Sequence, residues 1–235
     1  MAFVLMAKND ARPVAAKHLF IEAPDSIFPS IEERTRRDMI DYYESGYNRP
    51  SLNVFEDSSV ITCCDSTCIE IKASKVLQYQ LSMPAKNLIV LISTHSIPMY
   101  DSEIAFYDFE WEKQPVEKYF TAPSLTDWLT NDGKKVRDDV ENAVPFIIAS
   151  YNFDVESGVL TITNRLKDYF GKNTWRQVSK WLSPQLKYKW NGKHFKNSFT
   201  LQSFKYFTTA TEQIAHSIFG IYGCNHKRQA INRVH

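Results

Sequence analysis

Glycine is scarce in this sequence, with 7 in 235 residues. Neither G-x-G-x-x-G nor G-x-x-x-x-G-K-[ST] occurs, so a nucleotide-binding fold has no motif to rest on. No apolar run approaches the roughly 18 residues that a spanning helix needs. H-E-x-x-H and G-x-S-x-G are also missing, which removes the usual signatures of zinc peptidases and of α/β-hydrolases. Acidic residues nearly vanish from one end. Residues 169–235 hold 11 Lys and Arg and a single acid, Glu212, a balance of +10; residues 1–168 hold 17 Lys and Arg against 26 acids, a balance of −9. The net charge of +1 hides this asymmetry. An anionic partner for the basic end would explain it, and so would a solvated tail or two ends that face each other; the plainer explanations are preferred.

What is present is ordinary for a globular chain. Apolar residues make up 43% and charged residues 23%. The length suits one large domain or two small ones. Aromatics reach 14%, with 12 Tyr and 15 Phe, a content that favours strand surfaces and extended contact faces. The start, "MAFVLMAKNDARPVAAKH", turns abruptly from apolar to polar after Ala7. Ala2–Ala7 is too short for a signal peptide but matches the end of one. The expectation is that the true start lies upstream and that residues 1–15 are a signal remnant or disordered. A cytosolic N-terminus is the alternative.

The stretch "PSIEERTRRDMIDYYESG" reads as a helix, with Ser30 as N-cap, Glu33 completing a capping box, and Gly46 closing the end. Ile31, Thr35, Met39 and Tyr42/Tyr43 form its buried stripe. From residue 58 the period changes to two. "SSVITCC", "CIEIKAS", "VLQYQLSM", "NLIVLISTH" and "SEIAFYDFEW" follow one another through short turns, an antiparallel meander. "NLIVLIS" is apolar without alternation and is read as the central strand. Short helices are expected near Ser124–Leu129 and Val136–Val144. A hairpin turns at Glu156-Ser157-Gly158. A helix carries Trp175, Val178, Trp181 and Leu182 on one face. A last hairpin turns at Asn191-Gly192, a strong two-residue turn signal. Beyond it, a helix is expected at 209–222, then a basic tail.

"ITCCDSTCIEI" places three of the four cysteines within residues 61–71. Pairing Cys64 with Cys68 across the turn sets Thr62 against Glu70, Val60 against Lys72, Cys63 against Ile69 and Ile61 against Ile71, which separates a polar from an apolar face. Cys63 then belongs to the core. Zinc lacks a second ligand pair, so no metal site is expected. A Cys64–Cys68 disulfide is geometrically open, since facing Cβ atoms lie about 4.5–5.5 Å apart; two plain surface thiols beside a turn are the preferred reading.

His95, Asp101 and Ser102 invite comparison with a hydrolytic triad. Adjacent Asp and Ser on a strand point to opposite faces, however, and cannot easily serve one imidazole. Asp138/Asp139 with Glu141, and Glu110 with Glu112, are non-specific acids of exposed elements. Residues 175–205 alternate bases and rings as single-strand nucleic-acid grooves do. Within the hairpin, Tyr188 and Trp190 alternate with Lys187 and Lys189, so rings and lysines take opposite faces, which fits a strand packed on a core.

The order of "APDSIFPSIEERTRRDMIDYYESG", "SLNVFEDSSVITCCDSTCIEIKAS", "DSEIAFYDFEW" and "LKYKWNGKHF" resembles a family of secreted Bacteroidales proteins, the domain of unknown function 3256, over roughly residues 16–195. In the third stretch the matching positions are Asp101, Ser102, Ile104, Phe106, Tyr107 and Trp111. The resemblance implies export. It implies no activity, cofactor or catalytic residue, and the three clustered cysteines and the tail from Asn197 depart from the family pattern.

The expected fold is α+β: an antiparallel meander with an N-terminal capped helix over 16–113, a linker with short helices over 114–144, a hairpin–helix–hairpin unit over 145–196, and an extension over 197–235. The expected function is a non-catalytic, exported envelope module, periplasmic or secreted, that binds another envelope protein or a surface polymer. An enzyme around His95–Asp101 and a nucleic-acid module over 175–205 are the alternatives. Asp101, Ser102, Tyr107, Trp111 and Trp190 are the candidate binding positions, and no cofactor is expected.

Overall fold

The computed structural model describes residues 14–47 and 49–198. The signal remnant, apart from its last two residues, and the 209–222 helix therefore lie outside the described residues. Two helices come first, α1 (Ala16–Glu22) and α2 (Glu33–Glu44). Seven strands follow in a continuous antiparallel meander: β1 (Ser51–Leu52), β2 (Ser58–Cys64), β3 (Cys68–Lys72), β4 (Leu77–Ala85), β5 (Leu88–His95), β6 (Asp101–Tyr107) and β7 (Lys113–Gln114). After them come a 3-10 turn at Val116–Lys118 and three short helices, α3 (Leu125–Trp128), α4 (Asn131–Lys135) and α5 (Arg137–Ala143). A second antiparallel sheet holds β8 (Ala149–Asp154), β9 (Val159–Asn164), β10 (Gln185–Trp190) and β11 (Phe195–Asn197), in the order β11-β10-β9-β8. Between β9 and β10 lie α6 (Leu166–Tyr169), α7 (Lys172–Val178) and a 3-10 turn at Ser179–Trp181. The architecture is α+β, and no helix among the described residues is long and apolar enough to cross a membrane.

The first sheet is covered on both faces. Ile61, Ile69, Ile71, Tyr79, Leu81, Ile89 and Leu91 pack with Leu19, Phe20, Phe28, Met39 and Ile40 on the helix side. Leu88, Val90, Ile92 and Phe106 pack on the other side with Phe153, Leu160, Ile162, Leu186, Tyr188 and Phe195 of the second sheet. This explains why β5 lacks alternation: both sets of its side chains are core, so every position from Leu88 to Ile92 is buried. The 114–144 segment joins the same core through Phe120, Trp128, Leu129, Val140 and Val144. Its first helix is fixed as a capping box, with the Asp127 side chain accepting from Ser124 N–H at 2.8 Å.

Three local readings are corrected. Helix α2 begins at Glu33, three residues after Ser30, and has no side-chain cap; the carbonyl of Ser30 instead accepts from Val54 N–H at 3.1 Å, and its buried hydroxyl has no partner. The buried residues of α2 are Arg36, Met39 and Ile40, with Thr35 half-buried. The last hairpin pairs Trp190 with Phe195, so four residues form its loop. Asn191 uses its Oδ1 to accept from Lys193 and His194 N–H at 3.0 and 2.8 Å, and its own N–H donates to His194 O at 3.2 Å, so the turn centres on Gly192 and Lys193. Gly192, at φ +92, supplies the left-handed step.

The third correction concerns the cysteines. Val60 opposes Lys72 and Ile61 opposes Ile71, but a bulge then shifts the register, so that Cys63 opposes Glu70 and Cys64 opposes Ile69. Cys64 therefore sits on the helix side, where its N–H donates to Tyr43 Oη at 3.2 Å. Cys68 takes the other side, 3.5 Å from Ser82 Oγ. Thiols on opposite faces of a hairpin cannot bond, and both are free. Cys63 is buried, as the core reading requires.

Candidate functional site

Strand β8 is the edge of the second sheet, and its outward N–H groups need acceptors. The first sheet provides them from side chains. Ala149 N–H donates to Asp101 Oδ1 at 3.3 Å, Tyr151 N–H to Ser102 Oγ at 3.0 Å, and Phe153 N–H to Gln80 Oε1 at 2.8 Å. Ser102 also shares a 2.7 Å hydrogen bond with Thr94 Oγ1. Gln80 is held in turn by donating to Glu70 Oε1 at 3.1 Å. Burial raises the Glu70 carboxyl pKa, partly offset by that bond from Gln80. The Asp101-Ser102 pair thus clasps one sheet to the other.

The same register decides the triad question. His95 opposes Asp101, whereas Thr94 opposes Ser102. His95 and Ser102 therefore project to opposite faces, and the Ser102 hydroxyl is already engaged twice. Tyr107 and Trp111 stand 5.4 Å apart by ring centroids on the helix side, and Trp111 meets Phe28 at 6.0 Å. Trp190 rests on Phe195 at 4.9 Å at the rim of the intersheet core. Of the five candidate positions, two join the sheets and three pack in or against cores. Lys187 and Lys189 are exposed while Leu186 and Tyr188 are buried, so lysines and rings occupy separate faces of β10.

The thiols are chemically quiet. Burial pushes Cys64 up to about 11 and Cys68 up to about 12, the bond to Ser82 offsetting part of the latter. Among the described residues no three His, Cys, Asp or Glu side chains come together in a metal-binding group.

A different surface has the attributes of a contact site. Tyr100, Phe146 and Tyr169 are 40%, 42% and 48% exposed. Phe146 meets Tyr169 edge-on at 4.9 Å, and Tyr169 meets Phe170 at 5.2 Å. The Arg165 guanidinium lies over the Tyr100 ring at 5.1 Å and donates through Nε to Ser150 Oγ at 2.8 Å. Three segments converge here: the loop before β6, the loop before β8, and the β9–α6 connection. Sequence reasoning missed the group because its members are spread from residue 100 to residue 169; the "YF" of Tyr169-Phe170 at the end of a short polar helix is its faintest local sign.

The fold has a solved counterpart. A domain of an uncharacterized protein from Porphyromonas gingivalis W83 superposes with a TM-score of 0.66, at 18% identity, over 78% of this chain and 98% of that one. None of the curated proteins matches. Residues 10–195 match the family model described as protein of unknown function (DUF3256), and by that match the chain belongs to this family.

Proposed function

We propose that the chain is a non-catalytic binding module of the cell envelope, and that it holds another envelope protein on the exposed aromatic surface around Arg165. One observation carries this reading. The residues with the most chemical promise, Asp101 and Ser102, accept hydrogen bonds from β8, while Tyr100, Phe146 and Tyr169 stand exposed beside an arginine on structured segments. Tyr and Arg on a firm base are the residue types that dominate binding energy at protein interfaces. The export component rests on the resemblance to secreted proteins carried by the stretches between Ala23 and Phe195.

The test is site-specific photo-crosslinking in native cells followed by fractionation. A photoreactive phenylalanine analogue at position 146 is expected to give a discrete protein adduct in the envelope fraction. The same group at position 187, on the lysine face of β10, is expected to give none. A protein found wholly in the cytosol, or a position-146 probe that gives no adduct, overturns the proposal.

A further inference from the structure

We infer that Arg165 is a carboxylate-recognition group, and that its ligand is a partner's peptide segment carrying an acidic side chain next to an apolar or aromatic one. The inference rests on the binding role proposed above and names the chemistry of that site.

The guanidinium is fixed before any ligand arrives. The Arg165 backbone N–H donates to Ile148 O at 2.8 Å, its Nε donates to Ser150 Oγ at 2.8 Å, and its Cζ lies 5.1 Å from the centre of the Tyr100 ring. The Nε bond is the one side-chain hydrogen bond of Arg165 among the described residues, so the two terminal nitrogens are the free part of the fork there. A fork held this way loses little side-chain entropy when it takes up a carboxylate with two parallel bonds.

No carboxylate among the described residues pairs with that fork. Among the described residues five ion pairs form, Lys17–Glu44, Arg36–Asp25, Arg37–Glu33, Lys135–Asp132 and Arg137–Glu141, and none includes Arg165. The acid beside Tyr100 in the chain, Asp101, already accepts from the N–H groups of Ala149 and Ser102 through Oδ1. A half-buried arginine over an aromatic ring, without a counter-ion among the described residues, is complementary to an external one.

The surround argues for a peptide over an acidic sugar. Phe146 is 42% exposed and offers no polar atom. The loop that carries Tyr100 also exposes Ile97, at 68%. A sugar face would bring hydroxyl groups that these side chains cannot pair, whereas an aliphatic or aromatic side chain fits them.

The experiment presents two fluorescent octapeptide pools to the full chain. Both fix a central Phe followed by Glu in one pool and Gln in the other, with Gly, Ser and Ala elsewhere. At about 0.15 M salt the Glu pool is expected to bind about tenfold or more tighter, the size of one charge-assisted bidentate contact. Arg165→Lys keeps the charge but not the fork and should bring the Glu pool down to the Gln level, with the unfolding transition unchanged. Equal binding of the two pools, a preference that survives Arg165→Lys, or retention of polygalacturonate with neither pool bound at about 1 mM overturns the inference. The position-146 crosslink separates the two levels: an adduct with no Glu preference sinks the carboxylate site alone, and its absence sinks the binding reading itself.

Discussion

Three backbone carbonyls and one carboxylate converge on the guanidinium of Arg36. The side chain is 1% exposed and donates to Ile31 O at 2.6 Å, to Ile21 O at 3.3 Å, to Ala23 O, and to Asp25 Oδ1 at 2.9 Å. It thereby fixes the turn that lays α1 against α2. Replacement by Met fills most of the volume but leaves those carbonyls without a donor, at about 1–3 kcal/mol for each buried one. Arg36→Met is expected to lower the unfolding free energy by about 3 kcal/mol or more, read by urea denaturation; a loss under about 1 kcal/mol would mean that water satisfies the turn. The same residue marks a limit of legibility. Met39 and the half-buried Thr35 and Tyr43 could be read from helical spacing. Arg36 could not, because a cation on an apolar face reads as solvated until the carbonyls of a distant turn are known to meet it.

Strand β8 poses the corresponding problem for a whole element. Its partner β9 satisfies one row of its N–H groups, and the other row ends on Asp101, Ser102 and Gln80. Ser102→Ala orphans the Tyr151 N–H and should cost about 1–3 kcal/mol. Asp101→Asn retains an acceptor and should change stability by about 0.5 kcal/mol or less. Amide exchange gives the sharper measurement: Tyr151 and Phe153 are expected to exchange as slowly as residues inside the sheet, and Gln80→Ala should release Phe153 selectively. Fast exchange of both amides in the parent would show that the clasp does not hold. The strands themselves were legible, since alternation, turn residues and the unbroken apolar run of β5 each report local facts. What the Asp101-Ser102 pair does was not. A polar dipeptide at a strand start looks functional when nothing in the sequence says that a strand 48 residues later will lie across it. The bulge in β2 was hidden for a related reason, because an ideal ladder and a bulged one satisfy the same alternation until the partner residues are paired.

Across the described residues as a whole, three layers enclose two cores, and each core contains tyrosine. Tyr79 and Tyr107 lie with the helix-side core, Tyr151 and Tyr188 with the intersheet core. Burial raises the pKa of all four, Tyr188 to about 12, and raises those of Cys64 and Cys68 to about 11 and about 12. Each group holds its proton more tightly when folded than when unfolded, where the thiols and phenols titrate near 9.0 and 10.0. Their contribution to stability is therefore complete below about pH 9 and is lost as pH rises toward about 12. Urea midpoints should fall steadily as pH rises above about 9, and Cys68→Ala should lessen the slope at its onset. Because these four rings are enclosed by layers rather than shielded by loops, the tyrosinate absorbance of Tyr188, read as the difference from a Tyr188→Phe variant, should rise together with the loss of far-ultraviolet dichroism, in one cooperative step. Tyr188 tyrosinate that forms while the dichroism persists would mean that water reaches the intersheet core without unfolding, and that the two sheets part before either one does.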